Sequence, residues 1–319
     1  MIELGYSLSS EEFGPRQLVE FAERAEEAGF SFALISDHFH PWTDKQGQSP
    51  FVWAVIGAIA RATRRLRLGT GVTCPINRIH PAVIAQAAAT AATMMPGRFF
   101  LGVGTGENLN EHINGRHWPE PSVRLEMLRE AIEIIRRLWK GGFASFYGRY
   151  FVVENARIYT LPEQPIQLHV AASNPQAAEL AAEVGDGLIS TAPDADVIKR
   201  FQSGLDRRPR YGQFAVCVDA EEKRARSIAL ERWPNAGLPG DLKWELPLPE
   251  HFEQAAKLVD EDMIAERVIC GSDPKKHLDK ITAFVEAGFD HIYVHQIGPD
   301  QDTFFRFYES EILPKIPSG

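Results

Sequence analysis

Cysteine is scarce: three in 319 residues, Cys74, Cys217 and Cys270. They stand too far apart for a C-x-x-C metal or redox pair, and they exclude a disulfide-framed fold. Nowhere does an apolar run reach the roughly 18 residues of a membrane-spanning helix. Met1-Ile2-Glu3-Leu4-Gly5 lacks the basic start and long apolar core of a secretory leader, so the expected compartment is the cytoplasm. Basic charge is short as well: 34 Lys and Arg against 43 Asp and Glu leave a formal charge of -9. That balance argues against a nucleic-acid binder, which needs a basic footprint. No linker or low-complexity tract divides the chain, so 1–319 reads as one domain.

What is present is a rhythm of short apolar runs and longer amphipathic stretches. Strands are expected at Ile2–Leu8, Ser31–Phe39, Leu66–Thr73, Phe99–Gly106, Ile166–Ala172, Gly187–Thr191, Phe214–Asp219 and His291–Ile297. Helices are expected at Pro15–Gly29, Pro50–Thr63, Pro81–Met95, Val123–Trp139, Pro175–Val184, Ala195–Ser203, Ala220–Arg232, Pro274–Ala287 and Gln301–Ile312. In Pro15–Gly29, Leu18, Phe21, Ala22, Ala25 and Ala28 keep the 3,4 spacing and Gly29 stops the helix. Two stretches break the rhythm. Residues 145–162 are rich in Tyr, Phe and Val around Gly148-Arg149 and read as a hairpin insertion. Residues 233–260 carry Pro234, Pro239, Pro247 and Pro249 and read as an irregular excursion. Repeated strand–helix units imply parallel strands with right-handed crossovers, and about eight of them close into a (β/α)8 TIM barrel, an α/β fold.

In such a barrel the site lies at the C-terminal ends of the strands. There the sequence places Asp37, His38 and His40, then Cys74, then the run Gly102-x-Gly104-x-Gly106 with Glu107, then Ser173-Asn174-Pro175. The glycine run is not the dinucleotide fingerprint, because its third glycine would fall on Glu107. It suits either a strand end that needs positive φ or a backbone approached closely by a flat ring. His38-x-His40 on a strand would point both rings to one face, a pattern that also serves zinc hydrolases. His169, His291 and His295 are the further candidate ligands for that reading. Asn174-Pro175 is a helix start, and the amides of Gln176 and Ala177 behind it would face an anion such as phosphate.

Taken in order, these stretches resemble the luciferase-like superfamily, in the branch of F420-dependent glucose-6-phosphate dehydrogenase and its relatives. The resemblance is carried by Ser36-Asp37-His38-Phe39-His40-Pro41-Trp42, Gly69-Thr70-Gly71-Val72, His80-Pro81-Ala82-Val83-Ile84-Ala85-Gln86 and Leu101 to Asn110. Glu154 to Tyr159 and Gly185 to Thr191 add to it, and it is weakest between Arg208 and Asp260. It implies the same barrel and a 5-deazaflavin coenzyme, F420, with flavin mononucleotide and monooxygenase chemistry as the alternative. It implies that Asp37, Cys74 and Asn110 line the coenzyme, with Thr105 and Gly106 beside them. Cys74 stands where relatives carry threonine. A non-proline cis peptide behind the ring maps to Gly71-Val72. Ser173, Asn174, Gln176 and Ala177 would hold the coenzyme phosphate.

The resemblance further implies hydride transfer between an alcohol carbon and C5 of the deazaflavin. His38 would be the general base, Glu107 the second proton carrier and Trp42 the ring packed over the reacting centre. Which of His38 and Glu107 serves the substrate stays open. No metal is expected. Thr191 and Arg267 match a substrate-phosphate clamp, whereas two lysines of that clamp map to Asp194 and, loosely, Gln254. An aspartate facing a phosphate would repel it, so glucose 6-phosphate is not favoured over another alcohol, aldehyde or ketone. The expected partners are the substrate, the coenzyme and a second copy in a homodimer, with neither nucleic acid nor membrane.

Overall fold

A computed structural model describes residues 2–202 and 207–316. The strands are β1 (Glu3–Leu8), β2 (Phe32–Ile35), β3 (Arg67–Thr70), β4 (Phe99–Val103), β5 (Ala144–Tyr147), β6 (Val152–Ala156), β7 (Gln167–Ala171), β8 (Gly187–Ser190), β9 (Arg210–Cys217), β10 (Val268–Cys270) and β11 (His291–Gln296). Eight of them close a parallel barrel in the order β1-β2-β3-β4-β7-β8-β9-β11 and back to β1. Helices fill each crossover, as a right-handed βα chain requires. Among the described residues, none of these helices is long and apolar enough to cross a membrane.

The helices form where the sequence starts and stops them. Pro15, Pro81, Pro121, Pro175 and Pro274 stand at first helical positions, where the missing N–H costs nothing. In the helix Pro15–Ala28, Leu18, Ala22 and Ala25 are buried at 3,4 spacing, and the left-handed Gly29 ends it. The helix Pro81–Met94 buries alanines against the barrel, so it can lie close. The lumen is filled by Phe32, Leu34, Phe100, Ile189, Tyr211 and Tyr293, with Val72 packed on top. Below them the floor is polar: His291 lies 2.6 Å from Asp290 and 3.3 Å from Glu3. His169 stacks between Phe100 and Tyr211, and burial pushes its imidazole down to about 3.

Several expectations shift: β3 ends at Thr70 and β4 at Val103, each three residues early. Strand β2 ends at Ile35 instead of Phe39, because Ser36 turns away to hydrogen-bond the loop after β1. Strand β9 starts at Arg210, four residues before Phe214, since Tyr211 and Gln213 face the lumen. Strand β10 was not expected at all. It pairs with the upper half of β9 (Val268 with Ala215, Cys270 with Cys217), while β8 pairs with the lower half of the same edge (Leu188 with Arg210, Ser190 with Gly212). The expected hairpin forms as β5 and β6. The irregular excursion folds into short helices at Leu242–Glu245 and Pro249–Ala256, and with the helix Glu261–Ala265 just beyond it forms a roof between β9 and β10. The helix Ala195–Phe201 ends before Ser203, which lies outside the described residues.

Candidate active site

The loop after β1 and the loop after β2 are tied by one buried carboxylate. Glu11 Oε2 accepts from the hydroxyls of Ser36 (2.6 Å) and Ser9 (3.1 Å), and Glu11 Oε1 faces His38 Nε2 at 3.2 Å. Burial pushes the Glu11 carboxyl up, but the His38 imidazole and the Ser36 hydroxyl outweigh it and hold it below the usual range. The other nitrogen of His38 is engaged as well: Nδ1–H donates to the His40 carbonyl at 3.1 Å. Nε2 is therefore the nitrogen left to take a proton, and a proton placed there points at Glu11. The Trp42 ring lies against the His38 ring (centroids 5.1 Å) and is backed by Phe252 from the roof (5.2 Å). Trp42, Leu109 and Phe252 form one small buried cluster, joined by Trp233, Leu238 and Leu246. The roof and the site thus share a core.

The H-x-H reading does not survive this geometry. Because β2 has ended, His38 and His40 lie in a loop and their rings part: His40 Nδ1 donates to the Leu109 carbonyl at 2.8 Å. His169 and His291 sit on the barrel floor, at the opposite end from His38. Among the described residues, no three His, Cys, Asp or Glu groups converge as a metal site.

Asn110 joins the β2 and β4 ends. Its Oδ1 accepts from the backbone N–H of Phe39 (2.8 Å) and His40 (3.2 Å), and its Nδ2 reaches Glu107 Oε2 at 3.3 Å. Asp37, His38 and Glu107 therefore meet at one mouth. Asp37 is buried between Thr73, whose hydroxyl donates at 2.7 Å, and Arg78, whose guanidinium donates at 2.7 Å. The Cys74 thiol is buried and pushed well above its ordinary range by burial and by Glu111. Beside these residues the Gly71–Val72 peptide is cis, as the resemblance implied. Of the glycine run, Gly106 takes the left-handed conformation (φ 70°). Gly104 is required for closeness instead: a Cβ there would lie 2.7 Å from Val72 Cγ2. The positive-φ reading of the run thus holds at Gly106, while Gly104 makes room for Val72. A strand end stripped of side chains, with a valine pushed up beside it and polar groups at its edge, has the shape and donors that a planar heterocycle needs.

At the end of β7, Ser173, Asn174 and Gln176 are exposed at the start of the helix Pro175–Val184. Asn174 Oδ1 accepts from Ala177 N–H at 2.9 Å. The Ala177 amide is thus already capped, which corrects its expected part in anion binding; Ser173, Asn174 and Gln176 remain open to a ligand.

On the far side of the mouth, Thr191 follows β8 and Arg267 precedes β10, both exposed. The register brings them together, because Ser190 pairs with Gly212 and Val268 pairs with Ala215 on one edge of β9. Asp194 does not face them. Its Oδ1 caps its own helix, accepting from Asp196 N–H (2.8 Å) and Val197 N–H (3.2 Å). Gln254 lies on the exposed roof helix and bonds Glu250. The lysine near the clamp is instead Lys243. Burial lowers its ammonium, Glu107 pulls it back up and Arg267 repels it, so it sits within electrostatic reach of both. Its helix is pinned to the segment after Glu107 by Asn108 Nδ2, which donates to the Glu245 carbonyl at 2.9 Å, and by Arg124, 3.1 Å from the Glu245 carboxylate.

Sequence reasoning missed Glu11, Arg78, Glu111 and Lys243. Glu11 belongs to no motif and lies in an unremarked loop; its signal was its place just past the end of β1, where site residues collect.

Residues 1–291 match the luciferase-like monooxygenase family. An F420-dependent glucose-6-phosphate dehydrogenase of Amycolatopsis mediterranei (strain U-32) is 36% identical over 329 residues, covering 99% of this chain and 99% of the relative. A protein of the same name from Microbacterium testaceum (strain StLB037) is 38% identical, covering 99% and 97%. Among solved structures, an F420-dependent secondary alcohol dehydrogenase in complex with an F420–acetone adduct superposes with a TM-score of 0.92 at 31% identity, covering 99% of each chain.

Proposed function

The chain belongs to the luciferase-like monooxygenase family, and on that footing we propose that it is a coenzyme F420-dependent oxidoreductase acting on CH–OH groups. The observation that carries this reading is the meeting of His38, Trp42 and Glu107 at one barrel mouth, beside a ring-shaped floor made by Gly71–Val72 and Gly104. When bound there, F420 supplies a hydride acceptor and donor at C5 of its deazaflavin. The protein supplies position and proton handling.

Asp37, Val72, Cys74, Thr105, Gly106 and Asn110 hold the ring, and Ser173, Asn174 and Gln176 hold the phosphate. His38 takes the hydroxyl proton of the substrate. Glu11 stabilises the imidazolium that results, since its carboxylate faces Nε2 at 3.2 Å. Trp42, backed by Phe252, covers the reacting carbon and excludes water. Glu107 carries the second proton, and Asn110 holds its carboxylate.

The substrate is a small alcohol, and Lys243 with Arg267 favours one bearing an anionic group, glucose 6-phosphate included. Asp194 is engaged in capping its own helix. The same reading takes the protein as a cytoplasmic homodimer that binds no nucleic acid. Support for the dimer comes from exposed Val83 and Met94, eleven positions apart on one face of the helix Pro81–Met94, and from exposed Phe51 at the start of the adjoining helix Val52–Ala62. Reduction of F420, followed by loss of its visible absorbance with glucose 6-phosphate, glucose and 2-propanol in turn, tests the reading. Tight flavin mononucleotide binding with oxygen-dependent turnover and no F420 reduction would overturn it.

A further inference from the structure

Behind the residues assigned to the coenzyme ring lies a buried charge cluster that the reaction does not use. Arg78 is its centre. One guanidinium nitrogen donates to Asp37 Oδ1 at 2.7 Å and to the Asp37 carbonyl at 3.1 Å, while Nε lies 3.6 Å from Glu111 Oε1. Glu111 Oε2 accepts from the backbone N–H groups of Asn77 (3.2 Å) and Arg78 (2.7 Å). The Asp37 and Glu111 side chains are fully buried and that of Arg78 is 5% exposed. Two polar atoms in the cluster, Arg78 Nε and Glu111 Oε1, have no hydrogen-bond partner, and they face each other. A buried carboxylate such as Asp37 needs a paired charge, or it takes up a proton. Here the pairing also sets geometry: with Thr73 on Oδ2 and Arg78 on Oδ1, the carboxylate cannot rotate.

We propose that Arg78 is a positioning residue of the coenzyme site: it fixes and charge-compensates Asp37, and Glu111 is the counter-charge that decides how much of Arg78 Asp37 receives. The proposal rests on the coenzyme reading above. Its placement is direct, since Glu111 follows Asn110 in sequence and abuts Cys74 below Gly106, where an added Cβ would meet Cys74 Sγ at 2.6 Å and Glu111 Cγ at 3.0 Å. Burial raises the Glu111 carboxyl to about 7 against the pull of the Arg78 amide and guanidinium. The groups that face it are Arg78, Cys74 and Glu107, with Asp37 on the other side of Arg78. When Glu111 ionises, it draws Arg78 away from Asp37 and adds negative charge behind an anionic coenzyme.

The test is a fluorescence titration of F420 into the full-length protein, which reads binding without turnover. Arg78→Met should raise the F420 Kd at least about tenfold. Arg78→Lys keeps the charge but not the fork that reaches both the carboxylate and the carbonyl, so it should fall between. Glu111→Gln should bind F420 with a Kd that rises less than that of the unsubstituted protein between pH 6 and 8; the coenzyme's own titration is common to both and cancels in the comparison. A role confined to packing would leave that pH difference at zero. Equal Kd values for Arg78→Lys, Glu111→Gln and the unsubstituted protein at every pH overturn the inference while the function stands, and this arm holds even where Arg78→Met does not fold. An unsubstituted protein that does not bind F420 overturns both.

Discussion

Glu11→Gln isolates the one contact that gives His38 its direction. The substitution keeps the shape of a side chain that is 4% exposed and removes its charge. At 3.2 Å the gross attraction between carboxylate and imidazolium is about 5 kcal/mol at an effective dielectric constant near 20. Desolvation and the serine hydrogen bonds offset part of it, and a hydrogen bond between charged groups nets about 1.5–3 kcal/mol. The base step should slow by roughly 10- to 150-fold. The amide has no orientation that restores the contact. With its oxygen toward Ser36, its NH2 donates to Nε2 and favours the neutral imidazole over the imidazolium. With its oxygen toward His38, its NH2 meets the Ser36 and Ser9 hydroxyls. Glu11 touches none of the residues assigned to the coenzyme, so the F420 Kd should hold. The readings are steady-state F420 reduction and F420 titration on one preparation. A kcat within about twofold of the unsubstituted enzyme, or a tenfold loss of F420 affinity, refutes the argument. Stability gives an independent check. The folded-state value of Glu11 lies below its ordinary 4.5, so its contribution is present above that pH and lost as pH falls through the folded value. Glu11→Gln should therefore flatten the acid side of the melting-temperature profile.

His38→Ala and Glu107→Gln should each lower kcat by roughly 10²–10⁴ with F420 still bound, as stopped-flow single turnovers would read; near-normal rates in both would remove the assignment. Gly104→Ala should weaken F420 binding without unfolding the barrel, because its Cβ would press Val72 Cγ2 at 2.7 Å into the ring site; unchanged affinity would show that Val72 has room to move. The floor pair predicts a pH effect of opposite sign to Glu11. Burial lowers the His291 imidazole, but Asp290 and Glu3 outweigh it and leave it raised, so its stabilisation is complete below about 6.5 and fades as pH rises through the folded value. His291→Gln should cost melting temperature at pH 6 and progressively less above pH 8, measured by calorimetry. Lys243→Met should raise the KM for glucose 6-phosphate several-fold and leave a neutral alcohol unaffected, because it removes charge and not packing at the mouth.

The barrel was legible in the sequence because buried parallel strands are apolar throughout and their helices carry Pro at the start and Gly at the end. His38 and Glu107 were legible because they follow strand ends, whereas Trp42 was carried by the family resemblance alone. The misses have physical causes. His38 and His40 look like strand neighbours until Ser36 leaves the ladder for Glu11, a contact 25 residues apart that no local pattern encodes. Arg210-Tyr211-Gly212-Gln213 does not read as a strand, because a lumen that holds Tyr211 and a bond from Gln213 to Ser7 tolerates polar residues. Strand β10 has three residues, too few for any period to register. Lys243 was hidden inside a proline-rich stretch whose fold is set by docking onto Asn108 and Arg124 rather than by its own propensities.

The shared edge of β9 has a consequence for how such a chain diversifies. The roof leaves the barrel at the end of β9 and returns as β10 against that same strand. Everything between the two leaves and rejoins the barrel at a single seam, so it can lengthen, shorten or be replaced while the pairs that close the barrel, β8 with β9 and β9 with β11, keep their register. The residues assigned to the coenzyme stand at the ends of β2, β3, β4 and β7, away from that seam. Descendants of this chain are free to change what they oxidise without renegotiating what they oxidise it with, as long as a new roof still brings a ring to stand behind Trp42.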